Sequence, residues 1–285
     1  MRLSRFFPDA PPPGRPGDPG LLGPGSAAWR VGRERALLLA GPAALLLQVS
    51  HPLVAAGVAA HSDFVDDPLR RLRGTLDAVL TVTFGDTEQV RAAAARVAGA
   101  HAPVRGRLPV RVGGVAAGTP YRAQDPALAR WVLTTLEWSA VRATEVFVRP
   151  LGRDERDAYH RDMVVLGVAL GVDAGDPTAD RASVEELVTE HVTTTLAVDG
   201  TARALARDVL DPTPPVLPRG LRGLPALVAA GLLPPAVRTA YGLPWRRRER
   251  AAFTLLRLTV RAVLPLLPRP VRRWPHERVA RRRVG

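Results

Sequence analysis

Apolar residues recur at helical spacing along almost the whole chain from Ala27 onward, with polar residues between them. No stretch shows the sustained alternation of apolar and polar residues that a half-buried strand requires. We therefore predict an all-α protein, with a single globular multi-helix domain over residues 26–285. Residues 1–25 are rich in Pro and Gly, which predicts an irregular lead-in.

Start and stop signals divide this pattern into helices. Asp67-Pro68 predicts a helix that runs to about Phe84, where Gly85 ends it. Asp86 and Glu88 predict a second helix that reaches about Pro103. Asp125-Pro126 predicts a long third helix that is stopped by Pro150.

The remainder is also predicted to be helical, apart from a loop or short hairpin at 107–120. One helix is expected over 154–171. A second helix, to about Ala197, would begin with the capping box Ser183-x-x-Glu186. Two or three more helices are expected over 201–267. The terminal arginines 281–283 are predicted to be solvated.

Residues 36–60 contain no Asp, Glu, Lys or Arg and are long enough to span a bilayer. Pro42 and Pro52 interrupt them, so a buried pair of helices broken near Ser50–Pro52 is favoured. The N-terminus lacks the continuous apolar core of a signal peptide. These features predict a cytoplasmic protein with at most peripheral membrane contact.

Composition narrows the chemistry further. The formal net charge is +13, carried entirely by arginine because there is no lysine. Abundant Arg, Ala, Pro and Gly indicate a G+C-rich coding sequence, and no stripe of basic and aromatic residues is present, so nucleic-acid binding is not expected. The absence of cysteine excludes disulfides, iron–sulfur clusters and thiolate ligands, so any metal must be held by imidazole or oxygen.

Compact catalytic motifs are missing. The sequence contains no HExxH zinc motif, hydrolase elbow, Walker loop or dinucleotide-binding glycine motif. Chemistry must therefore come from dispersed residues or from a cofactor.

Among the dispersed candidates, His101 lies on a helix whose neighbouring positions are small and apolar. A planar ligand could approach such a helix closely, although by spacing alone a core histidine is the favoured interpretation. Arg71 and Thr75 are four residues apart and share a helix face, where they could polarise an oxygen ligand or anchor a propionate. For Arg71 an ordinary surface role is favoured without further information.

The other histidines carry weaker signals. His51 lies at the predicted helix break, where it either hydrogen-bonds backbone carbonyls freed by Pro52 or faces a pocket. His61 follows two apolar turns and could face the same interior. His160 lies among charged residues and is predicted to be exposed.

The order of several short motifs resembles that of the MpaB-like oxygenase family, which shares its catalytic domain with the latex-clearing proteins. The resemblance extends over about 27–268. The matching blocks, in chain order, are Leu45–Val58, Asp67–Thr75, Thr83–Gly85, His101–Gly106, Tyr121–Ala123 with Asp125-Pro126, Trp131-Val132, Phe147–Pro150, Gly231–Pro235 and Ala240–Trp245.

The resemblance implies an all-α enzyme that binds haem b and cleaves isoprenoid double bonds with dioxygen. It implies that His101 is the axial ligand of the haem iron. Arg71 and Thr75 would lie near the distal side, Arg71 assisting substrate deprotonation or stabilising oxygen and Thr75 donating a hydrogen bond.

Two departures from the family pattern change these expectations. Relatives often have a histidine where this chain has Leu133, and latex-clearing proteins have a distal lysine where it has Gly74. The sixth ligand would then be His51 or water, with His51 and His61 lining the cofactor site. A small apolar, isoprenoid-like substrate is expected rather than rubber. A haem carrier or sensor without turnover is the main alternative, and a helical protein that binds DNA or a membrane surface is the third.

Overall fold

The computed structural model describes residues 7–61, 68–172, 181–211 and 217–285, with only the backbone described for 68–72. The all-α prediction is confirmed: the described part contains fourteen α-helices and two strands of three residues each. The helices are α1 (Ala27–Gly32), α2 (Gly41–Val49), α3 (Pro52–His61), α4 (Pro68–Phe84), α5 (Thr87–His101), α6 (Pro126–Ala143), α7 (Arg153–Ala169), α8 (Arg181–Thr194), α9 (Gly200–Leu210), α10 (Leu224–Leu232), α11 (Pro235–Ala240), α12 (Arg247–Val263), α13 (Arg269–Arg272) and α14 (Pro275–Val284).

The small sheet is the hairpin predicted near 107–120. Strands β1 (Arg105–Arg107) and β2 (Pro120–Arg122) pair antiparallel, with Gly106 opposite Tyr121. The Tyr121 ring covers this glycine so closely that a Cβ there would lie 2.5 Å from the phenol oxygen. Position 106 therefore has to be glycine for the ring to take its place.

The centre of the fold is α2, which is apolar on all sides apart from Gln48. A helix of that kind is stable only when it is surrounded, and α2 packs against α6, α9 and α10. The side chains of Leu46 and Leu47 are fully buried, and Trp131 and Phe147 belong to the same core cluster.

Local capping explains where several helices begin. The Asp86 carboxylate accepts a hydrogen bond from the Gln89 amide at 2.7 Å, and the Gln89 side chain accepts one from the Asp86 amide at 3.0 Å. This reciprocal capping box confirms the predicted start of α5. The predicted capping box at Ser183 is wrong, because the chain is already helical at Arg181 and Ser183 lies inside the first turn.

The C-terminal region differs from expectation in two respects. Two or three helices were expected over 201–267, and the described parts contain four, α9 to α12. Proline lies in the first turn of α10 and begins α11, so each of these prolines starts a separate short helix. Arg283 is buried rather than solvated: its guanidinium donates to the Phe84 carbonyl at 2.8 Å and to the Asp18 carbonyl at 2.7 Å. The last carbonyls of a helix lack intrahelical donors, and at the end of α4 this arginine supplies one.

Residues 7–25 contain no helix or strand, yet backbone hydrogen bonds hold them on the helical body. The Arg15 amide donates to the Asp86 carboxylate at 2.6 Å, and the Gly17 amide donates to the Arg283 carbonyl at 2.7 Å. The segment thereby joins the α4–α5 turn to α14.

The anchoring of α14 is expected to depend on pH through His276. This side chain is only 1% exposed, and within the described chain neither ring nitrogen has a hydrogen-bond partner. Burial lowers the pKa of His276 to about 4. The unfolded chain therefore binds a proton at His276 near pH 6.5, whereas the folded protein does so only near pH 4. The contribution of neutral His276 to the free energy of unfolding is fully present above pH 6.5 and decreases as the pH falls towards 4. We expect His276 to lower the free energy of unfolding by about 2–3 kcal/mol at pH 4.

Urea unfolding at pH 7, 5.5 and 4.5 measures this loss. His276→Leu should reduce it, whereas His61→Gln, at an exposed histidine, should leave it at the wild-type size. Equal acid sensitivity of the wild type and His276→Leu would contradict the assignment.

Candidate functional site

The predicted break between two apolar helices is present, and the segments Arg35–Val49 and Pro52–His61 are bent by 104° around it. The Ala197 amide donates to the Ser50 carbonyl at 2.9 Å, and the Tyr241 hydroxyl donates to the Leu46 carbonyl at 2.8 Å. These two bonds tie the break to the segment after α8 and to the end of α11, while the Gln48 carbonyl, which Pro52 has no amide hydrogen to serve, accepts the His51 amide at 3.2 Å.

Of the two roles open for His51 at the break, hydrogen bonding to backbone carbonyls is not seen at Nδ1, and a pocket role stays a prediction. Its Nδ1 accepts a hydrogen bond from the Leu53 amide at 3.3 Å, so the ring caps the first turn of α3 instead of binding carbonyls. The ring is buried and lies 6.3 Å from that of His191, which stacks on Trp131 at 4.4 Å. Burial, with a smaller effect of His191, lowers the pKa of His51 to about 4. His51 is therefore neutral at pH 7.

His191 carried no clear signal in the sequence. Its Nδ1 donates to the Leu187 carbonyl at 2.9 Å, four residues earlier in α8. Only the packing of α8 against α6 brings this ring to Trp131. Nothing in the local sequence of α8 could have shown it.

His61 lies at the other end of α3 and is exposed. Its Nε2 donates to the Arg105 carbonyl at 3.0 Å, and its ring meets Tyr121 edge to face at 6.3 Å. The ten residues of α3 rise about 15 Å. His51 and His61, predicted to face one interior, therefore lie in separate surroundings.

The three residues at the centre of the resemblance belong to one helical hairpin. Helices α4 and α5 pack against each other, joined by Gly85-Asp86. Arg96 of α5 and Asp77 of α4 form an exposed ion pair at 3.6 Å, as expected for antiparallel helices joined by a short turn. Arg71 and Thr75, early in α4, therefore come to the same end as His101, the last residue of α5. The side chain of Arg71 lies outside the described residues.

The two ends of this hairpin differ in burial. Near the turn, Leu80, Phe84 and Val90 are buried. At the far end Thr75 and His101 are both exposed. His101 is thus not a core histidine, the interpretation that spacing alone had favoured.

Small residues surround these side chains. Gly74 and Gly99 are exposed, and a Cβ at either position would meet nothing within 4 Å. Ala100, beside His101, is also exposed. Among the side chains that the structure describes at the far end of the hairpin, the His101 imidazole and the Thr75 hydroxyl thus lie exposed beside small residues.

A groove of about 380 Å³ lies beside α3. Its floor is the alanine face of that helix, and its walls come from the β1–β2 loop and the start of α9. The lining includes Ala56, Ala60, Leu108, Val110, Tyr121 and Asp199. His51 and His101 do not line it, but His61 hydrogen-bonds the strand that leads into its wall.

His160 was predicted to be exposed, and this prediction is wrong. Its Nδ1 donates to the Glu137 carboxylate at 3.1 Å, and both side chains are buried. The Arg181 guanidinium lies 4.0 Å from the same carboxylate. The buried Glu137 carboxylate needs such partners, and the packing of α7 and α8 against α6 supplies them.

Leu133, where relatives often have a histidine, packs against the apolar cluster that includes residues of α1, α6 and α7.

The sequence profile described as "ER-bound oxygenase mpaB/B'/Rubber oxygenase, catalytic domain" matches residues 29–262. The chain belongs to this family. Membership in an oxygenase catalytic-domain family supports an enzymatic role, and the matched region contains α3, the α4–α5 hairpin and the groove. Searches of curated proteins and of solved structures give no match.

Neither a membrane-spanning helix nor a metal-binding cluster is found in the described part of the chain. No single described helix is long and apolar enough to cross a membrane. The bent pair Arg35–Val49 and Pro52–His61 together has the length and apolar composition of a membrane span. No group of three or more His, Asp or Glu side chains within the same residues is arranged to hold a metal ion.

Proposed function

We propose that this protein is a haem b-dependent oxygenase that uses O₂ to oxygenate or cleave a small apolar, isoprenoid-like substrate. The observation that carries the proposal is the α4–α5 hairpin, which brings Thr75 and the helical turn of Arg71 to the end where His101 is exposed. Membership in an oxygenase family supports the same reaction class.

The donor set fits haem better than a metal held by protein alone. The sequence has no cysteine, and the described residues contain no cluster of three imidazole or carboxylate ligands. A single imidazole binds iron when a porphyrin supplies the other four nitrogens. The small residues Gly74, Gly99 and Ala100 would let such a plane approach the helices closely.

Bound haem would supply the activation of dioxygen. His101 would hold the iron through one imidazole nitrogen, and a hydrogen bond to the other would set the orientation of the ring. Thr75 would offer its hydroxyl to oxygen atoms of the reactants. Arg71, one turn earlier on α4, would stabilise negative charge or hold a propionate.

The other two histidines receive different roles in this proposal. The sixth ligand would be His51 or water, and His51 would be available only through Nε2, because its Nδ1 accepts the Leu53 amide. His61 would border the site while its bond to Arg105 holds β1 on α3. The apolar groove beside α3 would accommodate the substrate chain.

A haemin titration of the purified chain tests the proposal. We expect a Soret band that saturates at one haem per chain, and oxygen uptake when a reductant and a short prenyl alkene are added. Saturation without oxygen uptake over a series of prenyl compounds would indicate a carrier or sensor. Absence of a stoichiometric Soret band would overturn the haem assignment.

A further inference from the structure

The positive charge of this protein is concentrated at its C-terminal end. Residues 246–285 contain thirteen arginines and two glutamates, which is +11 of the total net charge of +13. The preceding 245 residues are thus close to neutral. A bias in base composition alone would not produce this distribution, because alanine, proline and glycine are common along the whole chain.

Helix α12 lies within this basic region and has two apolar faces. Phe253, Leu256 and Val260 form the inner face and pack against the main core cluster. Leu255 and Leu258 lie on the opposite side of the helix. They are 67% and 54% exposed, respectively.

The outer face is a continuous stripe. Ala251, Leu255, Leu258 and Ala262 follow one another at spacings of four, three and four residues, which places them in one row along the helix. All four are exposed. Leu266, in the turn that directly follows α12, is 81% exposed. A contiguous row of exposed apolar side chains marks a contact surface, whereas a single exposed leucine is ordinary on a protein surface.

Arginines border this stripe. Arg246, Arg247 and Arg248 at the start of α12 are all exposed, and so is Arg269 beyond its end. Arg248 precedes Leu255 by two helical turns and lies in line with the stripe. An apolar row with guanidinium groups at its ends matches a phospholipid surface, where acyl chains lie beneath anionic headgroups.

We infer that the outer face of α12 docks on an anionic phospholipid bilayer without crossing it. Leu255, Leu258 and Leu266 enter the headgroup–acyl boundary, and Arg247 and Arg248 contact lipid phosphates. The inference is independent of the proposed function, because it uses no residue of the α4–α5 hairpin.

Vesicle flotation of the full-length protein, without haem, tests this docking surface. We expect binding to vesicles of phosphatidylcholine with phosphatidylglycerol to be at least about tenfold stronger than to phosphatidylcholine alone, and weaker in 0.5 M salt. The double variants Leu255→Gln/Leu258→Gln and Arg247→Gln/Arg248→Gln should each bind the anionic vesicles at least about tenfold more weakly.

The matched control is Val165→Gln/Val168→Gln, at two exposed valines of α7 that are 42% and 63% accessible. It should bind the anionic vesicles like the wild type. Because all six altered residues are exposed, circular dichroism melting should show the wild-type transition for every variant.

Several outcomes would overturn the inference. These are no flotation with anionic vesicles, equal binding to the two vesicle types, or the same loss in the α7 control. Retention of duplex DNA in place of vesicles would assign the arginines to a nucleic acid. A concentration-dependent dimer that Leu255→Gln/Leu258→Gln abolishes would assign the stripe to a second copy of the chain.

Discussion

Replacement of His101 by alanine is expected to abolish stoichiometric haem binding while the fold is retained. His101 is exposed at the last position of α5, so its removal leaves no cavity in the core. The iron would lose its one protein ligand from this hairpin. In a haemin titration followed by Soret absorbance, we expect the apparent Kd to rise at least about 100-fold, or about 2.7 kcal/mol.

The design separates ligation from general damage to the site. His101→Gly with free imidazole in the buffer should recover the Soret band, because the small molecule can take the place of the ring. His61→Ala, at the nearby exposed histidine, should still saturate at one haem per chain. If His51→Ala abolishes binding and His101→Ala does not, then His51 is the ligand and the hairpin assignment fails.

Replacement of Arg272 by alanine is expected to lower the free energy of unfolding by about 3 kcal/mol. The guanidinium of Arg272 donates to both oxygens of the buried Glu34 carboxylate, at 2.7 and 3.0 Å. Arg33 remains 3.5 Å from that carboxylate but is the weaker partner. Loss of Arg272 therefore leaves a buried charge largely without compensation, although the Trp274 amide still donates to the Arg33 carbonyl at 3.0 Å. Urea denaturation at pH 7 measures the change.

Two comparisons show whether burial is the cause. Arg96→Ala removes the exposed partner of Asp77, and we expect less than about 0.5 kcal/mol there. The double variant Glu34→Leu/Arg272→Met removes both charges, so it should be more stable than Arg272→Ala alone. Equal effects of Arg272→Ala and Arg96→Ala would show that the Glu34 pair contributes no more than a surface pair.

Elements with local signals were predicted well. The starts of α5 and α6 follow from the aspartate caps Asp86 and Asp125, because the capping atoms lie within three residues of the amides they serve, whereas the Asp67 signal before α4 lies outside the described residues. The break before Pro52 is equally local. Ser183 failed as a cap because its motif is short enough to occur inside a helix, and the chain is already helical two residues earlier.

Side-chain environments set by distant residues were not predictable. The charged neighbours of His160 in the sequence suggest exposure, but its side chain is buried, where it donates to the Glu137 carboxylate of another helix. Arg283 looks like part of a solvated tail, but the end of α4, 199 residues away, receives its guanidinium. In both cases the deciding partner is far away in sequence, so composition and periodicity contain no record of it.

In the α4–α5 hairpin, the sequence determined some features of the candidate site and the tertiary structure determined the others. The sequence alone determined two helices with a tight turn between them, the common face of Arg71 and Thr75, and the small residues around His101. Antiparallel packing then brought these residues to one end of the hairpin, and the tertiary structure left His101 exposed there rather than buried in the core. Helix periodicity is a local property of the backbone, whereas exposure depends on which distant surfaces meet, and only the folded chain determines that.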